Sequence, residues 1–300
     1  MRSEAIFRFA PSPTGYLHLG HALSAIIGFE LAQRFGGRFL VRIEDTDTGR
    51  TREHFVEAIF EDLSWLGLSW EEPVWRQSER LDLYAGYRDR LHEMGLLYPC
   101  FATRAEISAA ARNLKPQFDP DGALVYPGLC RHLSAAEMSR KLAAGTPYAL
   151  RLDMQKACKV AARKQPSGHV RMLQFAIDGV AREVDLKPAR WGDVVIARKD
   201  TGTSYHLAAV IDDAAQGVSH VCRGQDLEAS TDIHRLLQIL LNLPEPIYHH
   251  HSLVCDRQGR KLSKSSGDTA LYQLRQDGWT PARVRKELSC FLEAYGVTSK

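Results

Sequence analysis

The sequence predicts an α/β fold: a parallel sheet split by an inserted α+β module and finished by a short helical C-terminal part. Three observations carry that prediction. Strand-like and helix-like runs alternate from the N-terminus, the texture breaks near residue 98, and the alternation resumes near residue 191. Strands alternating with helical patterns are the mark of a parallel sheet built from crossover units.

The elements follow in order. "AIFRFAP" is β-rich and stops at Pro11, as a buried strand does. "LGHALSAIIGFELAQRFGG" carries Leu19, Leu23, Ile26, Ile27, Phe29 and Leu31 at helical spacing and ends on Gly36-Gly37, a helix stop. "RFLVRIED" reads as a second strand and "TREHFVEAIFEDLSWLG" as a second amphipathic helix closing on Gly67. "SERLDLYAGYRDRLHEMG" reads as a third helix. Residues 99–190 hold Pro, Gly and polar breaks between short pieces such as "PYALRLD" and "RMLQFAI". They are assigned to the insert, with 1–98 and 191–248 as the two halves of the sheet domain. A long helix from Ser230 to Leu243 stops at Pro244. Residues 249–300 are expected to hold a hairpin turning at Arg257-Gln258-Gly259, a loop, and helices from Pro281.

Composition narrows the class. The 300 residues are 44% hydrophobic and 25% charged, ordinary for a globular protein. A net charge of +3 is weakly basic, compatible with a nucleic-acid partner without requiring one. "QKACKVAARKQPSGHVR" holds five Lys or Arg and no acid, and reads as a solvated basic face. Six scattered cysteines make no tight framework, no leader pattern opens the chain, and no apolar run reaches a membrane span. Reduced thiols and a cytoplasmic location are the expectation.

Two stretches carry chemistry. In "FRFAPSPTGYLHLGH" a strand meets a helix N-terminus, where unpaired N–H groups and partial positive charge suit an anion. Gly15 and Gly20 allow close approach, and His18 and His21 share one face of the first turn. No Walker A or GxGxxG cradle occurs. Alone, "HLGH" reads as capping or packing residues. In "GRKLSKSSG", Lys261 and Lys264 are point charges suited to following a polyphosphate. Alone, that stretch reads as a solvated basic turn.

Together they resemble the HIGH and KMSKS signatures of class I aminoacyl-tRNA synthetases, in the family's order and about 240 residues apart. "RFAPSPTGYLHLGHA" and "VRIEDTD" resemble the glutamyl branch, and the likeness covers nearly the whole chain. The resemblance implies a Rossmann-like (HUP-type) catalytic domain and an adenylate-forming ligase that uses ATP with Mg2+ held mostly by phosphates and water. It implies ATP contacts at His18, Gly20, His21, Lys261 and Lys264, with Lys264, Lys261, His18 and His21 catalytic. Gly20 would leave room for the adenosine. It implies glutamate contacts at Arg8, Phe9, Ala10, Pro11, Ser12, Glu44, Tyr205 and Arg223. Glu44 would face the ammonium, and Arg223 would select acid over amide.

The likeness has two departures. The chain ends about 35 residues after Ser265, which leaves no room for the helical anticodon-binding domain of glutamyl-tRNA synthetases. That shortness resembles the glutamyl-Q tRNA(Asp) synthetases. It implies transfer of glutamate to a ring hydroxyl of queuosine in the anticodon loop of tRNA(Asp). The expected partners are L-glutamate, ATP and a tRNA(Asp) anticodon stem-loop, with no membrane, for a monomer. The alternatives are a truncated enzyme charging the 3′ end of tRNA(Glu), a non-catalytic synthetase-like module binding RNA or nucleotide, and a HIGH-type nucleotidyltransferase for another acid. The second departure is a metal pattern, Cys-x-Cys … Tyr-x3-Cys, known from related enzymes. Cys100, Tyr126 and Cys130 match it, but Ala102 replaces a cysteine, so zinc is not expected. His249, His250 and His251 alternate faces as successive strand residues, so no metal is expected there either.

Overall fold

Ile6–Phe9 (β1) and Arg38–Ile43 (β2) pair in parallel, Phe7 opposite Phe39, with Leu19–Arg34 (α1) crossing between them. Phe7, Val41 and Ile43 are buried, as strands covered on both faces require. The structure is a computed structural model that describes residues 4–114, 116–176, 180–255 and 269–297.

The chain continues through Glu53–Trp65 (α2), Glu71–Arg76 (β3), Leu81–Glu93 (α3) and Leu97–Cys100 (β4). Arg104–Asn113 (α4), Ala135–Ala143 (α5), Ala149–Leu152 (β5) and Met154–Lys164 (α6) follow. Next come Arg171–Phe175 (β6), Ala181–Asp185 (β7), Val195–Ala197 (β8) and Tyr205–Ala215 (α7). His220–Gly224 (β9), Thr231–Leu241 (α8), Ile247–His251 (β10), Leu271–Gln276 (α9), Pro281–Glu287 (α10) and Ser289–Leu292 (α11) complete it.

Seven strands form the main sheet in the order β3-β2-β1-β9-β10-β6-β7, parallel except for the terminal β6–β7 pair. Three strands form an antiparallel sheet, β4-β5-β8. These boundaries correct the expected division at residues 99 and 190. β6 and β7 fall inside 99–190 but extend the main sheet, while β8 falls outside it but joins the small sheet. Pairing partners far apart in sequence decide this, and local texture does not report them. β3 was not foreseen: "EEPVWR" is polar and holds Pro73, which an edge strand tolerates. α8 ends at Leu241, before Pro244, because Asn242 takes the left-handed conformation at φ 55°. The predicted turn at 257–259 lies outside the described residues.

Apolar side chains cover both sheet faces. α1 and α2 pack with Leu271, Val284, Leu288 and Leu292 of the C-terminal helices in one core. α3, α6, α7 and α8 share the other. β1 lies between β2 and β9, so the crossovers leaving β1 and entering β9 run in opposite directions. A crevice opens at the carboxyl ends of strands at such a switch point.

Candidate active site

A cavity of about 390 Å³ lies at that switch point. Arg8 through Ser12 reach it from the end of β1, Glu44 follows β2, and Cys222, Arg223 and Gly224 come from β9. His18, Gly20, His21 and Ser24 come from the start of α1, and Tyr205 from the start of α7. All eleven described residues singled out from the sequence for ATP or glutamate line this one cavity: Arg8 to Ser12, His18, Gly20, His21, Glu44, Tyr205 and Arg223. Lys261 and Lys264 lie outside the described residues. The chain on either side of them reaches the cavity: Leu253 and Val254 line it, and Ala270 bridges to His18.

The histidine pair caps the helix. His18 is the N-cap of α1, and its Nδ1 accepts from Gly20 N–H at 3.1 Å. His21 Nδ1 accepts from the His18 N–H at 3.2 Å. A neutral imidazole that accepts at Nδ1 carries its proton on Nε2. Capping and donation to an anion are therefore compatible in the same rings. A Cβ on Gly20 would stand 3.0 Å from His18 Cε1. The room Gly20 provides is taken first by the His18 ring.

Around Arg8 the charges are balanced. Arg8 donates to Asp213 through Nε at 3.0 Å and Nη2 at 3.4 Å. Arg42, fully buried, donates to Asp213 at 2.8 Å, Glu44 at 3.0 Å and Gln216 at 2.9 Å. Arg8 and Arg42 thus face Asp213 and Glu44, with Asp212 a further 3.9 Å from Arg42 Nε. Burial alone would raise the Asp213 carboxyl, but Arg8 and Arg42 outweigh it and hold it below its usual range. For Glu44 burial wins over Arg42, and its carboxyl is raised.

Around Arg223 they are not balanced. This guanidinium is 5% exposed. It meets Thr231 Oγ1 at 2.8 Å, His234 Nδ1 at 3.1 Å, and Tyr205 Oη and His250 Nε2 at 3.3 Å. Burial, reinforced by Arg223, pushes His206 down to about 4, His250 down to about 2 and His234 well below the usual range. All three rings are neutral near pH 7. Among the described residues no carboxylate pairs with Arg223. Glu44 and Asp226 share the cavity with Arg223 but form no ion pair with it, so its buried guanidinium favours an anion bound directly against it.

The three residues that match the metal pattern bond to one another instead. Cys100 and Cys130 are buried with Tyr126, Tyr98 and Phe101. Tyr126 Oη already meets Cys100 Sγ at 3.3 Å and Cys130 N–H at 2.7 Å, and the Arg151 guanidinium sits 3.9 Å over its ring. Three donors fall short of a closed tetrahedron. Among the described residues no three His, Cys, Asp or Glu side chains gather as a metal site, and all six cysteines are free thiols. His249 bonds Phe175 O and Tyr295 Oη, and His251 bonds Ser24 and Ser252, while His250 faces Arg223.

Three of the five basic residues in the stretch 155–171 have partners within the chain. Lys156 pairs with Asp153, Lys164 caps the carbonyls ending α8, and Arg171 pairs with Glu183 and Asp185. Among the described residues no helix is long and apolar enough to cross a membrane. Sequence reading missed Arg42, Asp213, His234 and Thr231. The signals were a lone arginine in "FLVRIE" and two adjacent acids in the apolar helix "YHLAAVIDDAA".

Fold, cavity and sequence likeness together define a ligase of the class I aminoacyl-tRNA synthetase type. The chain belongs to the family described as "tRNA synthetases class I (E and Q), catalytic domain", matching it over residues 5–298. It is 44% identical over 285 residues to the glutamyl-Q tRNA(Asp) synthetase of Rhodobacter capsulatus, covering 94% of this chain and 98% of that protein. It is 36% identical to the glutamate–tRNA ligase of Aquifex aeolicus, covering 93% of this chain but 55% of the ligase. A crystal structure of glutamate-tRNA synthetase from Elizabethkingia anophelis superposes with a TM-score of 0.69 at 28% identity, covering 88% of this chain and 53% of that one. The chain therefore spans about half the length of the full ligases it matches. Its function is of the glutamyl-tRNA synthetase kind, and enzymes of this class use ATP with Mg2+.

Proposed function

We propose that the enzyme activates L-glutamate as glutamyl-adenylate and transfers it to the queuosine base in the anticodon loop of tRNA(Asp). The observation that carries the glutamate reading is the buried Arg223, with no ion pair among the described residues, in the same cavity as Glu44. A side-chain carboxylate would complete Arg223. Glutamine would leave its charge unanswered, and a site built for one polar group rejects the analogue lacking it. Glu44, with its Arg42 hydrogen bond, would receive the α-ammonium. Arg8 and Ser12 would hold the α-carboxylate.

The α-carboxylate oxygen attacks the α-phosphorus of ATP and pyrophosphate leaves. No protein nucleophile is needed, so positioning and charge stabilisation do the work. His18 and His21 would donate from Nε2 to the phosphates, and Gly20 would keep the backbone close. Lys264, aided by Lys261, would neutralise the departing pyrophosphate. Magnesium would supply further charge neutralisation, held by the phosphates and water. A queuosine hydroxyl then attacks the activated carbonyl and AMP leaves.

Two relatives named glutamyl-Q tRNA(Asp) synthetase favour the queuosine acceptor, because this chain covers 98% and 83% of their lengths. Charging of tRNA(Glu) at its 3′ end is the second reading, favoured by the likeness to glutamate–tRNA ligases. We place the enzyme in the cytoplasm as a monomer, where its thiols stay reduced. The test offers radiolabelled glutamate and ATP with queuosine-containing tRNA(Asp), the same tRNA without queuosine, and tRNA(Glu). Label on the first RNA alone is the expected result. Label on tRNA(Glu) would replace this reading with the second.

A further inference from the structure

α7 carries two neighbouring buried aspartates with different tasks. Asp212 accepts from Arg80 Nε at 2.8 Å, Tyr84 Oη at 2.6 Å and Gln77 Nε2 at 3.1 Å, all from the segment that begins α3. That is scaffold. Asp213 turns to the other side, since successive helical residues project about 100° apart. It holds Arg8 at 3.0 Å and Arg42 at 2.8 Å. Arg8 lines the cavity, and Arg42 in turn holds Glu44, which also lines it. Asp213 itself does not line the cavity.

We infer that Asp213 is a positioning residue for the amino-acid substrate: one carboxylate fixes the cation meant for the α-carboxylate and, through Arg42, the anion meant for the α-ammonium. This rests on the glutamate reading of the cavity. The electrostatics make the role specific. Arg8 and Arg42 balance Asp213 and Glu44 before substrate arrives. Without the Asp213 charge, both guanidinium groups compete for Glu44, which is drawn away from the ammonium. The local charge becomes positive on the side where a cation must bind. The Asp213 carboxylate bonds to Arg8 and Arg42, and not to His18, Gly20 or His21 of the ATP end.

The test is glutamate-dependent ATP–pyrophosphate exchange, with bulk tRNA present, on the full chain and on Asp213→Asn and Asp212→Asn. For Asp213→Asn the glutamate KM should rise roughly tenfold to a hundredfold, from the loss of a charge-assisted clamp, while the ATP KM stays within about twofold. For Asp212→Asn the melting temperature should fall while the glutamate KM stays put. If Asp213→Asn does not fold, Asp213→Asn/Arg42→Gln carries the test: it restores the charge balance but leaves Arg8 and Glu44 without their clamps, so a smaller rise, still confined to the glutamate KM, is expected. An unchanged glutamate KM in the folded variant, or equal rises for glutamate and ATP, would overturn the positioning role. No glutamate-dependent exchange in the unaltered enzyme would overturn the glutamate reading and this inference with it.

Discussion

Arg8 and Arg223 line the same cavity and are buried alike, 7% and 5% exposed, yet they stand in opposite electrical settings. Arg8 is clamped by Asp213 at 3.0 Å. Arg223 rests on a threonine, a tyrosine and two neutral histidines. The balanced half is complete without ligand. The unbalanced half has no ion pair to Arg223 among the described residues, and an incoming anion would offset that buried charge. On the proposed reading, the contrast separates residues that shape the site from the one that would select its substrate.

The sharpest way to break the comparison is to remove each cation. Arg223→Leu should raise the glutamate KM about a hundredfold or more, since the lost pairing is between buried charges, and leave the ATP KM unchanged. Arg8→Met should cost less, because Asp213 keeps Arg42 as a partner. Equal effects from the two variants in steady-state kinetics would erase the distinction.

A smaller effect lies in pH. Burial, with Arg223 adding to it, holds His206 at about 4 and His250 at about 2. An unfolded histidine takes up its proton near pH 6.5, about where the folded rings refuse one. The unfolded chain therefore binds more protons as pH falls. Their contribution to stability is full above about pH 6.5 and is lost as pH falls toward 4. Melting temperatures should decline over that window, and His206→Gln should flatten the decline. An unaltered slope in that variant would show that His206 is charged in the folded protein. The smallest effect is expected at Gly20. Gly20→Ala places a methyl 3.0 Å from the His18 ring, and should raise the ATP KM a few-fold by tilting that ring while sparing glutamate.

The same contrast explains what the sequence revealed. Arg8 and Arg223 were legible as site residues because they sit in short motifs at strand ends, where local pattern and family likeness agree. Their electrical states were not. Whether Arg8 is paired depends on Asp213, 205 positions away, and whether Arg223 is paired depends on what a helix and a neighbouring strand present to it. The fold behaves alike. β1, α1 and β2 were legible from apolar periodicity, whereas β6 and β7 read as part of an insert because nothing local tells a strand which sheet it will join. The polar edge strand β3 left no periodic trace at all. His18 and His21 look like capping residues in sequence and do cap α1, but only the geometry shows that both cap through Nδ1.

The central claim is that Arg223 waits for a substrate's side-chain carboxylate. The most direct measurement is ATP–pyrophosphate exchange by the unaltered enzyme, with glutamate and then glutamine as the amino acid. Exchange with glutamate and essentially none with glutamine is the predicted result. Comparable exchange with both would contradict it, since the cation at the end of β9 would then not be reading charge.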